Sequence, residues 1–371
     1  MFDLLIYQQY WWFIVAILGG LFVFMTFVQG GQTLLNTLAK DEDEKNIIIA
    51  SLGRKWELTF TTLVMFGGVL FAAFPLLYAV SFGGAYFVWM AILFCFIIQA
   101  VSYEYRLKPN NFLGQKTYEF FLFINGSLGI ILIGIALATF FTGGNFIKNE
   151  MNLSSWTLPT YGLEAVLNPF NICLGFTMFF VSRTQASLYF INNIEHKNIV
   201  RRAKTQVKID GSFFLLFFIF TFLYLLTLSG IEYSNEMFII RENKFFNNIL
   251  ETPLFIFSLL SGVVFIFYAL YITIIKNSDK GIWFFGTGVV VAITTILCLL
   301  GFNNTAIYPS LSDINSSLTI ENSSGSLYTL EVMSYVSLGI PIVLSYIYYV
   351  WKSMNATKIT SDEVKSDSHH Y

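Results

Sequence analysis

Residues 56–80 read WELTFTTLVMFGGVLFAAFPLLYAV, twenty-five positions with one charged side chain, Glu57, at the start. A bilayer core takes about 20 consecutive apolar residues of helix. Backbone in lipid must bond to itself, which leaves helices or closed barrels, and the run is much too long for a barrel strand of about 10 residues. Comparable runs fall at 10–35, 85–105, 118–142, 169–194, 207–229, 253–275, 281–302 and 333–354. The sequence therefore predicts an all-α polytopic membrane protein with nine transmembrane helices.

Composition agrees: 56% of residues are hydrophobic, 12% are charged and 41 are Phe, with mean hydropathy +0.65, far from a soluble average. Alternate connections divide the basic residues. Seventeen of the 21 Lys and Arg fall after the first, third, fifth and seventh runs and in the C-terminal stretch. The opposite connections hold three, Lys148, Arg241 and Lys244, while Arg183 lies inside a run. The positive-inside rule then predicts a cytoplasmic C-terminus and an N-terminus outside. Residues 1–356 are expected to form one integral-membrane domain, and 357–371 a disordered cytoplasmic tail. The connection at 81–84 is short enough to predict a tight antiparallel hairpin. Lys40–Lys45 reads as a solvated turn, and the Ser/Asn-rich loop at 303–332 as a cap or a partner surface.

Several chemistries lack their residues. Cys95, Cys173 and Cys298 lie in separate runs without paired spacing, which points to neither a disulfide framework nor a metal site. No phosphate-binding or dinucleotide fingerprint occurs, and no nucleic-acid partner is expected. Membrane haem typically takes a His ligand, yet His196 lies in a connection and His369 and His370 in the tail.

Charge within a span is expensive and marks a partner or a wet cavity. At 1.5 Å per residue, Glu57 and Glu104 are expected in one layer near the basic interface, with Thr26, Gln29 and Thr33 on one face of the first helix and Glu119 opening the fourth. One reading makes Glu57 and Glu104 interfacial acids beside Arg54, Lys55 and Arg106. The other makes them an entrance for protons, joined by Thr26 and Gln29, which do not themselves titrate. Arg183 is expected deep in the membrane, with Asp210 as its structural counter-ion.

Further stretches carry a resemblance. Trp11-Trp12, Trp56-Glu57, residues 67–79 (GGVLFAAFPLLYA), Tyr103-Glu104-Tyr105-Arg106, Leu167-Asn168-Pro169-Phe170, residues 184–189 (TQASLY) and a closing block from Pro309-Ser310 to Met333 together resemble subunit II of the cytochrome bd quinol oxidases, in order and over nearly the whole chain. The resemblance implies two four-helix bundles plus a peripheral helix in the bacterial inner membrane. It implies a haem-free role beside a subunit I that carries haem b and haem d, quinol as substrate of the complex, a structural quinone in this chain and a small accessory subunit. It also implies delivery of cytoplasmic protons for reduction of O2 to water. The family's acidic motif late in the first helix is Met25-Thr26-Phe27-Val28-Gln29 here, its Trp-Asp is Trp56-Glu57, its Asp near the third helix end is Glu104, and a preceding Arg is Gln99. A proton-coupled secondary transporter is the rival class. It would use broken helices around a midplane site, and Pro75 and Gly67-Gly68 are the interruptions the sequence displays.

Overall fold

The computed structural model of the chain describes residues 3–109, 111–355 and 357–360. The first apolar run is two helices, α1 (Leu4–Met25) and α2 (Phe27–Leu38), joined at Thr26, whose hydroxyl donates to Val23 O at 2.6 Å. A hydroxyl bonding back to the preceding turn bends a helix. α3 (Glu42–Gly53) starts at Asp41, whose carboxylate accepts from Glu44 N at 2.8 Å, a standard N-cap bond. The stretch expected as a solvated turn thus opens a helix. Ile47, Ile48 and Ile49 are buried, and Glu44 goes inside with them.

α4 (Trp56–Ala73) stops at Phe74, and α5 (Pro75–Tyr78) restarts from Pro75, which has no N–H and bars its predecessor from helical geometry. A π-helical turn, Ala79–Gly84, leads into α6 (Tyr86–Tyr105). The expected hairpin is present, but α4 and α6 meet through rings rather than close backbones. Trp56 stacks on Tyr103 (centroids 5.7 Å, planes 12° apart) and Phe60 lies 5.8 Å from Phe96. The next span is α7 (Gln115–Ile124), a π-helical turn at Asn125–Gly129, and α8 (Ile130–Thr142).

A two-stranded hairpin follows, β1 (Phe146–Lys148) with β2 (Ser154–Trp156), Phe146 opposite Trp156. α9 (Pro169–Asn193) has proline in its first turn and Asn168 as cap, its Oδ1 accepting from Phe170 N at 2.9 Å. After α10 (Lys197–Thr227) comes a second hairpin, β3 (Gly230–Ser234) with β4 (Met237–Arg241), then α11 (Lys244–Glu251), α12 (Pro253–Ile274), α13 (Gly281–Cys298), α14 (Ile320–Ser323), α15 (Leu327–Ser337) and α16 (Ile340–Met354).

Among the described residues seven helical segments are long and apolar enough to cross a membrane, and eight if α15 and α16, bent by 43°, make one span. The chain is thus a helical polytopic membrane protein. The remaining expected run is the 25-residue α9. It is less apolar because Asn171, Ser182, Thr184, Gln185 and Ser187 lie along it, all buried against neighbouring helices. α4 runs unbroken through Gly67-Gly68, so of the two expected interruptions only Pro75 breaks a helix, while further breaks fall at Thr26, at both π-helical turns and between α15 and α16.

α9 packs between α2, α8 and α10, while α13 packs on α1 and α12. Gly30 makes the α2–α9 crossing possible: a Cβ there would stand 2.2 Å from the Ser182 carbonyl. Trp12 donates to Leu297 O and Trp11 to Leu330 O, each at 3.1 Å, tying α1 to α13 and α15.

The two ends differ. At one, the hairpins and the Ser/Asn-rich loop interlock, with isolated bridges at Gly144 and Ser310, Glu232 and Thr305, and Tyr308 and Leu318. Ser310, Ser316, Ser317, Thr319 and Ser323 are buried there, so this polar loop is packed structure. At the other, basic end, the chain continues past the boundary expected at 356. Ile359 is fully buried, its N–H donating to Asn193 O and its carbonyl accepting from Glu195 N, both at 2.9 Å. Lys358 Nζ lies 2.8 Å from Asp279. The expected disordered tail falls largely on 361–371, outside the described residues.

Candidate functional site

Helical geometry turns successive side chains by about 100°, and this decides where the acids go. Trp56 and Tyr103 stack between α4 and α6, so their successors Glu57 and Glu104 turn away and both are exposed. Glu104 is 51% exposed and pairs with Lys108 at 2.9 Å, one turn on. The two acids share a layer but do not enter the interior cluster.

That interior cluster is made of amides. Gln29 Nε2 and Gln32 Nε2 both donate to Gln99 Oε1 at 2.9 Å, and Gln32 Nε2 also lies 3.2 Å from the Tyr103 hydroxyl. Asn125 lies on the π-helical turn that packs against α2 and α6. This turn presses on α2: a Cβ on Gly126 would stand 2.2 Å from Gln29 O. Gln29, Gln99 and Asn125 are fully buried, and Gln32 nearly so. Gln29 Oε1, Gln32 Oε1, Gln99 Nε2 and both polar side-chain atoms of Asn125 find no protein partner. Unpaired acceptors and donors together are what internal water satisfies. Thr26 is fully buried nearby in sequence, but its hydroxyl is engaged with Val23 O.

Below the amides, at the basic end, lies a partly buried ionic cluster. Arg106 donates from Nη2 to Glu119 Oε1 at 2.8 Å and to Glu42 Oε2 at 3.1 Å, and from Nη1 to Asn46 Oδ1 at 2.7 Å. Lys45 Nζ reaches Glu119 Oε2 and Glu42 Oε1, both at 3.0 Å. Glu119 is 5% exposed and Arg106 1%. Glu119 is therefore a buried acid of this end, as Glu44 is. Its neighbour cluster joins Glu44 to Arg202, with His196 Nδ1 3.7 Å from the same carboxylate. His196 also caps α10 by accepting from Ile199 N.

Arg183 and Asp210 meet on the other side of α2. Arg183 Nε donates to Asp210 Oδ1 at 3.0 Å and Nη1 to Thr33 Oγ1 at 2.8 Å, while Gln206 Nε2 donates to Asp210 Oδ2 at 2.9 Å. This joins α9, α10 and α2 through one carboxylate and one guanidinium.

Asn125 and the Arg106–Glu119 pair escaped the sequence reading as partners. Asn125-Gly126 inside an apolar run is the signal that was available. The pairing of Arg106 with Glu119 depends on how the 107–114 connection folds back, which periodicity does not carry.

Comparison with known proteins follows the same outline. A family model described as cytochrome bd terminal oxidase subunit II matches residues 7–354. The chain is 26% identical over 388 positions to cytochrome bd-I ubiquinol oxidase subunit 2 of Escherichia coli strain K12, covering 100% of this chain and 99% of the relative. It is 26% identical over 349 positions to cytochrome bd ubiquinol oxidase subunit 2 of Bacillus subtilis strain 168, covering 92% and 95%. Among solved structures, a chain of the bd oxidase from Geobacillus thermodenitrificans shares the fold with a TM-score of 0.67 at 14% identity, over 96% of this chain and 100% of that one.

Proposed function

The chain belongs to the cytochrome bd terminal oxidase subunit II family, part of an oxidoreductase complex, and from that premise we propose that it is the haem-free subunit supporting a haem-bearing subunit I and delivering protons to it. In this reading it spans the bacterial inner membrane nine times, as two four-helix bundles with α15 and α16 as the peripheral helix. The N-terminus is outside and the C-terminus cytoplasmic. α9 counts as a span because its polar side chains face protein, where such groups are tolerated in a membrane.

Haem b and haem d belong to the partner, and quinol is the substrate of the complex. The donor set of this chain supports that division. His196 is committed to a helix cap and faces Glu44 at the basic end, and His369 and His370 lie outside the described residues. A structural quinone is a further part of the proposal, and the apolar cleft between α8, α9, α10 and α13, lined by Phe141, Phe170, Phe214 and Phe218, is a candidate place for its ring. An accessory small subunit completes the expected assembly. Family membership disfavours the transporter alternative.

The observation that carries the proton proposal is the buried polar line from Tyr103 through Gln32 and Gln99 to Gln29, with Asn125 buried on the π-helical turn that packs on α2, above the Glu119–Arg106 cluster. Amides cannot titrate, so they hold water in place while carboxylates exchange protons. Glu57 and Glu104, exposed beside the Trp56–Tyr103 stack, collect protons from the cytoplasm; Gln29 lies on the line and Thr26 shapes the bend above it. Glu119 is a second candidate for the same task, favoured by its burial under the amides. The Arg183–Asp210 pair is proposed as structural.

The test is quinol-driven oxygen uptake by the complex purified with its haem-bearing partner. Glu57→Gln and Glu104→Gln should slow turnover with haem content kept. Unchanged turnover and membrane potential in both would remove these acids from the path. A chain that purifies without a haem-bearing partner would sink the oxidase role itself.

A further inference from the structure

At the basic end an open groove of about 510 Å³ lies beside the first turns of α7, lined by Asn36, Lys45, Lys116, Glu119, Phe120 and Phe123. Its polar end carries more positive than negative charge. Glu42 and Glu119 are shared by Lys45 and Arg106, so three cations, counting Lys116, face two carboxylates. Lys116 is exposed, and no carboxylate among the described residues pairs with it. The groove therefore has room for one anionic group.

Its other end is apolar and runs along the helix. Lys116, Phe120 and Phe123 are spaced four and three residues apart and share one face of α7. Phe120 is 58% exposed and Phe123 44%. They lead from the basic end towards the middle of the apolar span. A soluble anion would leave both rings uncovered, whereas a molecule with an anionic head and a hydrocarbon tail satisfies both ends.

The geometry points to a binding site for an anionic glycerophospholipid, its phosphodiester on Lys116 and Lys45 and an acyl chain along Phe120 and Phe123. A zwitterionic lipid would bring an ammonium into a groove already one cation in excess. The inference rests on the membrane reading of the chain and not on the proton path, so failure of one leaves the other standing.

The experiment uses the purified complex, delipidated in neutral detergent and titrated with phosphatidylglycerol or phosphatidylcholine in mixed micelles. Bound lipid is counted by native mass spectrometry. Wild-type complex should retain phosphatidylglycerol in preference to phosphatidylcholine. Lys116→Gln, at an exposed position, should weaken that retention roughly fivefold, the worth of one lysine against an anionic lipid surface. Lys276→Gln, an exposed lysine of the same end outside the groove, should leave it unchanged. Equal retention of the two lipids, equal loss in both variants, or competition by inorganic phosphate at matched concentration would each overturn the proposal. The first would show no headgroup selection, the second diffuse attraction, and the third a site for free anions.

Discussion

Gln99 accepts two hydrogen bonds through one fully buried oxygen, and this makes it the residue on which the interior cluster turns. Gln99→Leu strands the Gln29 amide and leaves Gln32 only its contact with Tyr103. A stranded buried donor costs about 1–3 kcal/mol, so the purified complex should melt several degrees lower. Gln99→Glu keeps the acceptor and should lose less. A leucine variant as stable as wild type would mean that water replaces the lost acceptor at no cost. At this scale the sequence was informative about depth and silent about direction. Counting residues from the 81–84 connection put Glu57 and Glu104 in one layer. It did not show that Trp56 and Tyr103 take the inward positions and turn their acidic neighbours out. Glu119 reads equally well as an interfacial acid until α3 brings Lys45 and Glu42 against it.

Helices were legible where their apolar runs were long, because lipid leaves the backbone no other partner. Their interruptions were not. The π-helical turn at Asn125–Gly129 has no proline to announce it, and it exists where Gly126 lets α7 and α8 approach α2. For the Ser/Asn-rich loop at 303–332 the sequence left cap and partner surface open, because the bonds its Ser and Asn side chains make with one another's backbone depend on how the loop folds. The turn at Leu163–Leu167 shows how such a cap is held. Burial pushes the Glu164 carboxyl up, but bonds from Thr160, Asn145 and Gly162 N outweigh it and hold the group below its ordinary value of 4.5. A depressed carboxyl contributes stability that is fully present above its unfolded pKa and is lost as pH falls through the folded one. The 145–168 segment should therefore open to hydrogen exchange below about pH 4.5, and Glu164→Gln should flatten that dependence. Exchange that is as steep in the variant would assign the effect to another group.

The whole molecule is polarised, with seventeen of 21 basic residues assigned to one end by sequence and the interlocked hairpins at the other. Orientation in the membrane follows if the basic end is cytoplasmic, and one helix is enough to test it. α12, with 22 residues, is about 33 Å long. Glu236, in the turn between β3 and β4, precedes it on the loop-rich end, and Lys276 follows it on the basic end; both are exposed. In intact spheroplasts a membrane-impermeant maleimide should label Glu236→Cys at once and Lys276→Cys only after permeabilisation, against the background of Cys95, Cys173 and Cys298. The same pair of labels reports on both termini. Lys358 is clasped to Asp279, three residues beyond Lys276, at 2.8 Å, so the C-terminal strap shares its side. Gln8 donates to Ser324 Oγ at 2.7 Å, in the cap that holds β3 through the Glu232 and Thr305 bridge, so the N-terminal segment shares the side of Glu236. The reverse labelling pattern would invert the whole molecule, moving the Glu119 cluster away from the cytoplasm and excluding it as the place where protons are taken up.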